Sequence, residues 1–271
     1  PINFGCTTLT GTLTITGADI TNLNALSGIT GADSLDIHDV PNLTDFSGLD
    51  NLIAVNGNLM ISGATAPTLS QVSPFQSGNA SNIVTNSNLS GLFPSLTSVA
   101  GFLSVSGNDL ISFTGFANLS NVGDYLSIVN LPNLTSVTGF ENLSSVGTAF
   151  NIYGNTELTS LPNFNSLTTT GEFTVHSNPV LTSLSGLNSL TTINGNFNLY
   201  SNSGLTEVSD LNSLTSINGY LNIYDNNQLT SLSGLQNVNP SGITALYIYN
   251  NTQLSVCNLA SVCAAIANGV S

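Results

Sequence analysis

The sequence predicts an all-β parallel β-solenoid, built from one repeated coil of about 24 residues and closed by a short C-terminal capping helix. Residues 181–228 hold two adjacent copies of one unit, and similar units recur along nearly the whole chain. Within a unit, apolar residues first recur at every third position and then alternate, as in Leu221 and Ile223. Alternation is typical of a strand. A unit this small buries its apolar edge only against the next coil, which predicts stacking.

Each coil is predicted to contribute one short strand, at an apolar pair separated by one residue. Ten such pairs follow the chain: Leu13/Ile15, Leu35/Ile37, Leu59/Ile61, Leu103/Val105, Leu126/Ile128, Phe150/Ile152, Phe173/Val175, Phe197/Leu199, Leu221/Ile223 and Leu246/Ile248. Because one repeat runs through the chain, we expect a single solenoid over residues 1–271 rather than two domains.

Two segments depart from the repeat. The interval of 42 residues from Ile61 to Leu103 is too long for one coil and slightly short for two, so residues 62–88 within it are predicted to form an irregular coil or an insertion. Such a segment is either a tolerated loop or a contact loop on a regular solenoid. Residues 255–271 are alanine-rich, which predicts the C-terminal cap, with a helix over residues 258–267 closed by Gly269.

Charge excludes several partners. The chain has no Lys or Arg and 14 Asp and Glu, so its formal net charge is -14. A surface without cations cannot neutralise phosphates, which argues against nucleic acid and anionic membranes as partners. No apolar run is long enough to span a bilayer, so we expect no membrane insertion. The chain also offers no cleavage site to trypsin-like proteases, which favours a location outside cells.

The cysteines leave the disulfide pattern open. Cys6 stands near the start, Cys257 and Cys263 stand near the end, and no spacing resembles a zinc site. An odd number leaves at least one thiol free or paired with another chain. A secretory leader is not recognisable, so we expect a processed mature segment.

One asparagine follows many of the predicted strands at a fixed offset. The candidates for a structural ladder between coils are Asn108, Asn155, Asn178, Asn202, Asn226 and Asn251. Stacked asparagines hydrogen-bond the backbone of adjacent coils, so we interpret these residues as structural.

An aromatic residue follows the last inward residue of successive strands. These are Tyr153, His176, Tyr200, Tyr224 and Tyr249, and Tyr220 and Tyr247 fall in columns beside them. On coils about 4.8 Å apart the rings form a stripe on the outer sheet face. Stacking alone is a sufficient reason for the stripe. The alternative is a binding site for a glycan, for a protein or for another copy of the chain.

Neither a metal site nor an active site has a firm pattern. Asp19 and Asp39 are weak calcium candidates, because register brings them close, but their spacing follows no known loop motif and we favour solvated turn residues. His38 and His176 lie on different coils without an evident nucleophile, and no pair of carboxylates is singled out by spacing. We therefore expect no enzyme activity and no cofactor.

Two copies of the unit are LTSLSGLNSLTTINGNFNLYSN at 181–202 and LTSLSGLQNVNPSGITALYIYNNTQLSVCNLASVC at 229–263, and the chain opens with CTTLTGTLTITGADITNL. These stretches resemble secreted leucine-rich-repeat-like proteins of the Bacteroidetes, whose repeats are akin to the receptor L domain. The resemblance covers almost all of the chain outside residues 62–88. It implies a right-handed parallel β-solenoid, export to the cell surface or medium, and a role in adhesion or recognition. The lack of Lys and Arg departs from such proteins.

Two functions follow as expectations. The first is a non-enzymatic extracellular recognition or adhesion solenoid that binds a glycan or a protein through the aromatic stripe. The second is a structural subunit that assembles with its own copies into an extracellular filament or surface layer, with disulfides between chains.

Overall fold

A computed structural model describes residues 6–38, 40, 43, 46–62, 87–106 and 110–254 of the chain. Its backbone winds into a solenoid whose strands pair in parallel, one coil upon the next, in a 15-stranded sheet. The prediction of an all-β parallel β-solenoid with about 24 residues per coil is confirmed. The predicted C-terminal helix falls in residues 255–271, outside the described residues.

Most strands are short. They are β1 (Thr8–Ile15), β2 (Gly31–His38), β3 (Ala54–Val55), β4 (Leu59–Ser62), β5 (Ser87–Leu92), β6 (Ser98–Val99), β7 (Leu103–Ser106), β8 (Leu110–Gly115), β9 (Asn121–Val122), β10 (Tyr125–Val129), β11 (Ser136–Thr138), β12 (Ser145–Tyr153), β13 (Thr169–His176), β14 (Thr192–Ile193), β15 (Phe197–Tyr200), β16 (Ser216–Ile217), β17 (Tyr220–Tyr224) and β18 (Ala245–Tyr249). Single 3₁₀ turns occur at Asn24–Leu26, Ser47–Leu49, Ser209–Leu211, Ser233–Leu235 and Pro240–Gly242.

All ten apolar pairs identified in the sequence lie in strands of the main sheet. Each pairs in register with its neighbour, for example Phe197 with Leu221 and Leu199 with Ile223. The alternation fixes this register, because a slip by one residue would turn the apolar pair outward. Both positions are buried in seven of the ten pairs, whereas Leu13 in the first coil and Leu246 and Ile248 in the last are partly buried.

Phenylalanine rings join the coils through the interior. Contacts between ring centroids 4.9 to 6.2 Å apart link Phe46, Phe93, Phe113, Phe116, Phe140, Phe150, Phe164, Phe173 and Phe197. Burying each such side chain contributes about 1.5 to 3 kcal/mol. The core is therefore one continuous column and each coil depends on the next.

The expectation of one strand per coil was too simple. Two-residue strands such as β3 and β6 precede the main strand in several coils, and β5, β8 and β11 form a separate parallel sheet. The every-third pattern follows the corners of the coil, and the 3₁₀ turns Ser47–Leu49, Ser209–Leu211 and Ser233–Leu235 each bury one leucine there. Those corners leave brief extended segments between them, long enough for one or two ladder hydrogen bonds.

No extra coil enters the main sheet at the irregular segment. β4 pairs directly with β7 at Leu59 and Leu103, and β3 pairs directly with β6. Most of the segment, residues 63–86, lies outside the described residues.

Candidate functional site

The outward side chains of β10, β12, β13, β15, β17 and β18 form a surface that we call the tyrosine face. Register aligns them in three columns along the solenoid. All seven tyrosines of the chain lie on this face: Tyr125, Tyr153, Tyr200, Tyr220, Tyr224, Tyr247 and Tyr249. Phenylalanine fills the interior instead, because only the phenol hydroxyl needs access to water or a polar partner.

The last of the three columns is a continuous stack of rings, which we call the ring column. Successive centroids are 4.5 Å apart for Tyr153 and His176, 4.6 Å for His176 and Tyr200, 4.7 Å for Tyr200 and Tyr224, and 4.8 Å for Tyr224 and Tyr249. The planes of neighbouring rings deviate by 9° or less. The repeat of the parallel sheet sets this spacing.

Stacking determines what the ring column offers a partner. An inner ring such as Tyr200 has a neighbouring ring on each face, so its edge and hydroxyl remain at the surface. No tyrosine hydroxyl of the face bonds to any residue that the structure describes. Burial, and then the carboxylate of Glu172, raises the pKa of Tyr200, so the phenol stays a proton donor at neutral pH.

His176 occupies one position of the ring column. Its Nδ1 lies 3.0 Å from the hydroxyl oxygen of Ser177, and burial lowers the pKa of the imidazole. A neutral ring at this place stacks between Tyr153 and Tyr200 like a phenol. The structure therefore gives His176 a packing role in common with its neighbours.

The residue after each ring adopts the left-handed backbone conformation, and this positions the ring column. Gly154, Ser177, Ser201, Asp225 and Asn250 all have φ between 54° and 70°. This conformation turns the chain out of the sheet directly after the ring. The ring thus points outward while the following asparagine points into the coil.

Those inward residues form the asparagine ladder: Asn155, Asn178, Asn202, Asn226 and Asn251. The backbone N–H of Asn178 donates to Oδ1 of Asn202 at 3.2 Å, and that of Asn202 donates to Oδ1 of Asn226 at 3.1 Å. Each side-chain amide also donates to a backbone carbonyl in the strand of the preceding coil, as Asn202 Nδ2 does to Val175 at 3.0 Å. The ladder is buried and holds the turn under the ring column. Asn108 lies outside the described residues.

Glu172 organises the polar side chains beside the rings. Thr174 Oγ1 and Asn198 Nδ2 donate to its Oε1 at 3.2 and 2.9 Å, and Asn196 Nδ2 donates to Oε2 at 3.3 Å. Asn222 Nδ2 then donates to Oδ1 of Asn198 at 2.6 Å. Glu172 is the only carboxylate in the three columns from β10 to β18. Sequence reasoning missed this network, because its members are a whole coil apart along the chain.

The face opens at its C-terminal end, where Tyr220, Tyr247 and Tyr249 form what we call the terminal trio. Their side chains are 47%, 48% and 48% exposed, more than any other tyrosines. Tyr220 lies beside the small Ala245 and meets Tyr247 edge to face, with centroids 6.3 Å apart and planes at 75°. Ring faces are accessible here, unlike in the middle of the ring column.

The remaining candidate residues are not brought together within the described structure. Asp19 is exposed, and Asp39 lies outside the described residues. Among described residues, no group of three or more His, Cys, Asp or Glu is close enough to hold a metal ion. Cys6 is exposed, whereas Cys257 and Cys263 lie outside the described residues.

A groove of about 530 Å³ crosses the turns near β3, lined by Ser27, Gly28, Thr30, Asn51, Ile53, Ser95 and Thr97. Its polar side chains already bind the neighbouring coil. Thr97 Oγ1 donates to the Ile53 carbonyl at 2.9 Å, and Asn51 Nδ2 donates to the Ser27 carbonyl at 2.8 Å. These groups stabilise the stack and leave the tyrosine face as the better candidate site.

Comparisons with protein-family models, with curated proteins and with solved structures found no match to this chain. The likeness of the repeats to receptor-L-domain-like proteins thus stays an expectation from the sequence. No helix in the described part of the chain has the length and apolar character needed to cross a membrane.

Proposed function

We propose that this chain is a non-enzymatic extracellular recognition or adhesion solenoid that binds its partner through the tyrosine face. One observation carries the proposal: every tyrosine of the chain lies on one face of the main sheet, although buried aromatic positions use phenylalanine. Packing alone does not require a hydroxyl at seven outward positions. Tyrosine supplies a large apolar area with a polar edge, which suits it to binding surfaces.

The chemistry of the face limits the partner. It carries Glu172 as its only carboxylate, and Glu172 already accepts hydrogen bonds from three side chains. The chain has no cation with which to bind phosphate or sulfate. A glycan or a protein without strong negative charge is the partner class that this surface favours, and no cofactor is part of the proposal.

Composition supports an extracellular location. A chain without Lys or Arg offers nothing to trypsin-like proteases, which is useful where such enzymes are present. Ring stacks, the asparagine ladder and hydroxyl bonds between coils, such as Thr191 Oγ1 to the Thr168 carbonyl at 3.0 Å, stabilise the solenoid in place of ion pairs.

Nitration with tetranitromethane gives a direct test, since all seven tyrosines lie on the tyrosine face; the cysteine thiols, which the reagent also oxidises, are alkylated first. The native chain is first assayed for binding to immobilised polysaccharides, to extracellular matrix proteins and to itself. Nitration should abolish the binding found, whereas amidation of carboxylates, which lie mostly on turns, should leave it intact. Undiminished binding by a fully nitrated, folded chain would refute the proposal.

Self-assembly is the second candidate, and the edge strand β1 favours it. Within the described residues β1 pairs only with β2, and its eight residues contain neither charge nor proline. Such an edge is a template for pairing with another chain, because its backbone groups lack partners on one side. Cys6, which is exposed just before β1, is placed to cross-link such a pair.

Sedimentation and negative-stain imaging test the second candidate. Native material should form fibres whose assembly is prevented by the double substitution Thr12→Lys/Thr14→Lys, because both side chains are exposed on β1. Cys6→Ser should remove any disulfide-linked dimer from a non-reducing gel. A chain that stays monomeric at high concentration under oxidising conditions would exclude this role.

A further inference from the structure

We infer that the terminal trio, Tyr220, Tyr247 and Tyr249, together with Asn222, binds a neutral glycan. This inference rests on the proposed function and deepens it. It assigns binding to the end of the tyrosine face rather than to the middle of the ring column, and it names the chemical class of the partner.

The first step concerns ring faces. A sugar packs its C–H groups against the face of an aromatic ring, where the electron density is highest. In the ring column these faces are occupied by neighbouring rings at 4.5 to 4.8 Å. Among the described residues Tyr249 ends the stack, and Tyr224 covers only its inner face. Tyr220 and Tyr247 meet edge to face, and neither has a stacked partner in that part of the chain.

The second step concerns hydrogen bonds. Side-chain amides along the middle column donate toward the N-terminal coils, as Asn222 Nδ2 does to Asn198 Oδ1. The next position is Tyr247 rather than another amide, so Asn222 Oδ1 has no partner among the described residues. The trio contributes three phenol hydroxyls that are equally unpartnered there. An acceptor and three donor–acceptor groups around exposed rings match a polyhydroxylated ligand.

The third step concerns charge. Asp225 follows Tyr224 at the same end and accepts from Asn250 Nδ2 at 3.0 Å, and the chain has no Lys or Arg to offset its charge. Uronic acids, sulfated sugars and phosphates would meet repulsion from a surface of net charge -14. The site therefore suits an uncharged saccharide.

A protein partner fits less well. Protein interfaces have a desolvated centre, rich in large apolar side chains and arginine. Aligned with the trio, the outward positions of β17 and β18 hold Asn222, Tyr224 and Ala245 and no large aliphatic residue. A second copy of the chain would also bring its own net charge of -14. Amides and phenols on a rigid sheet favour the glycan.

The experiment is calorimetric titration of the folded chain with soluble oligosaccharides from cellulose, chitin, laminarin and mannan, and with oligogalacturonate as the acidic probe. Because the chain has no Trp, intrinsic fluorescence comes from the tyrosine face and provides a second readout. The test variant is Tyr220→Ser/Tyr247→Ser/Tyr249→Ser. The control is Val180→Ser, which removes an exposed apolar side chain from a turn outside the tyrosine face.

At least one neutral oligosaccharide should bind, and the triple variant should weaken it by at least about tenfold, the loss of one hot-spot contact or more. Val180→Ser should change affinity by less than about twofold, and oligogalacturonate should not bind. Equal effects of the two variants, tight binding of oligogalacturonate, or no binding of any neutral probe would overturn the inference. If no neutral probe binds, protein binding that is lost on nitration would still support the proposed function. Protein binding that persists after nitration would contradict both this inference and the proposed function.

Discussion

The Tyr200 ring lies parallel to the Tyr224 ring, with centroids 4.7 Å apart and 4° between the planes. The two residues are also paired in register on β15 and β17. Strand spacing in a parallel sheet is close to the spacing of stacked rings, so a single aromatic position in the repeat produces a stack without further adjustment. The ring column therefore belongs both to the stability of the solenoid and to its candidate binding surface.

Removing an inner ring should cost more stability than removing a terminal one. Tyr200→Ser deletes two stacked contacts and should lower the free energy of unfolding by about 1 to 3 kcal/mol, whereas Tyr200→Phe keeps the stack. Urea unfolding followed by circular dichroism measures the difference. Tyr220→Ser is the control, because that ring is 47% exposed and makes one edge-to-face contact. An equal or larger loss for the control would contradict this account of the column.

The asparagine ladder should be more sensitive still. Asn202→Ala leaves the backbone N–H of Asn178 and the carbonyl of Val175 without their partners inside the core. We expect a loss of about 2 to 5 kcal/mol in the free energy of unfolding, because unsatisfied buried groups cost about 1 to 3 kcal/mol each. Asn222→Ala in the neighbouring coil removes an outward amide and should cost under about 1 kcal/mol. Similar losses for the two variants would show that the ladder is dispensable.

Substitution of two glycines with positive φ distinguishes the cost of backbone strain from the cost of crowding between coils. At Gly139, with φ of 104°, a Cβ atom would overlap the carbonyl oxygen of Gly115, whereas at Gly11, with φ of 81°, nothing lies within 4 Å. Gly11→Ala should cost about 1 to 2 kcal/mol from strain alone. Gly139→Ala should cost clearly more, since the coils must also move apart. Thermal melting of both variants measures this, and equal melting temperatures would refute the close approach.

Stability should fall in alkali. Burial, followed by nearby Asp124 for Tyr125 and by Glu172 for Tyr200, raises the pKa of these phenols above their ordinary value. The unfolded chain therefore loses these protons first, near pH 10, and folding is progressively less favourable as pH rises beyond about 10. Phenolate absorbance of the folded and urea-unfolded chains gives the titration midpoints. Coincident midpoints would contradict the burial of these hydroxyls.

His176 predicts a further loss of stability on mild acidification. Burial lowers the pKa of this imidazole, so the unfolded state binds its proton at higher pH than the folded state does. The stability that neutral His176 contributes to the folded state is fully present above about pH 6.5, the pKa of histidine in the unfolded chain. It decreases as the pH falls through that value. His176→Phe, which keeps a ring between Tyr153 and Tyr200, should flatten the stability profile between about pH 5 and 7. If the variant keeps the native dependence of unfolding free energy on pH, other titratable groups must cause that dependence.

The strand positions were predictable because their cause is local. Leu221 and Ile223 alternate with polar residues, and alternation alone fixes which side of a strand faces the core. The aromatic column followed from the same reasoning, since residues at one position of a repeat stack when the register is constant.

What escaped prediction depends on geometry between coils. Glu172 binds Asn196 and Asn198, and nothing in the local sequence distinguishes that carboxylate from one on a turn. The sequence also does not reveal that stacking covers the faces of Tyr200 while Tyr220 keeps its own accessible, because that difference comes from ring tilt and from the small Ala245 alongside. The choice between column and trio as the binding site rests on this difference.

Direct pairing of Leu59 with Leu103 has a practical consequence. The pitch of the solenoid does not set the length of the chain that joins β4 to the next layers, since the flanking strands bond to each other across it. We therefore expect that peptides of varied length inserted at this junction leave the pairing of Leu59 with Leu103 unchanged.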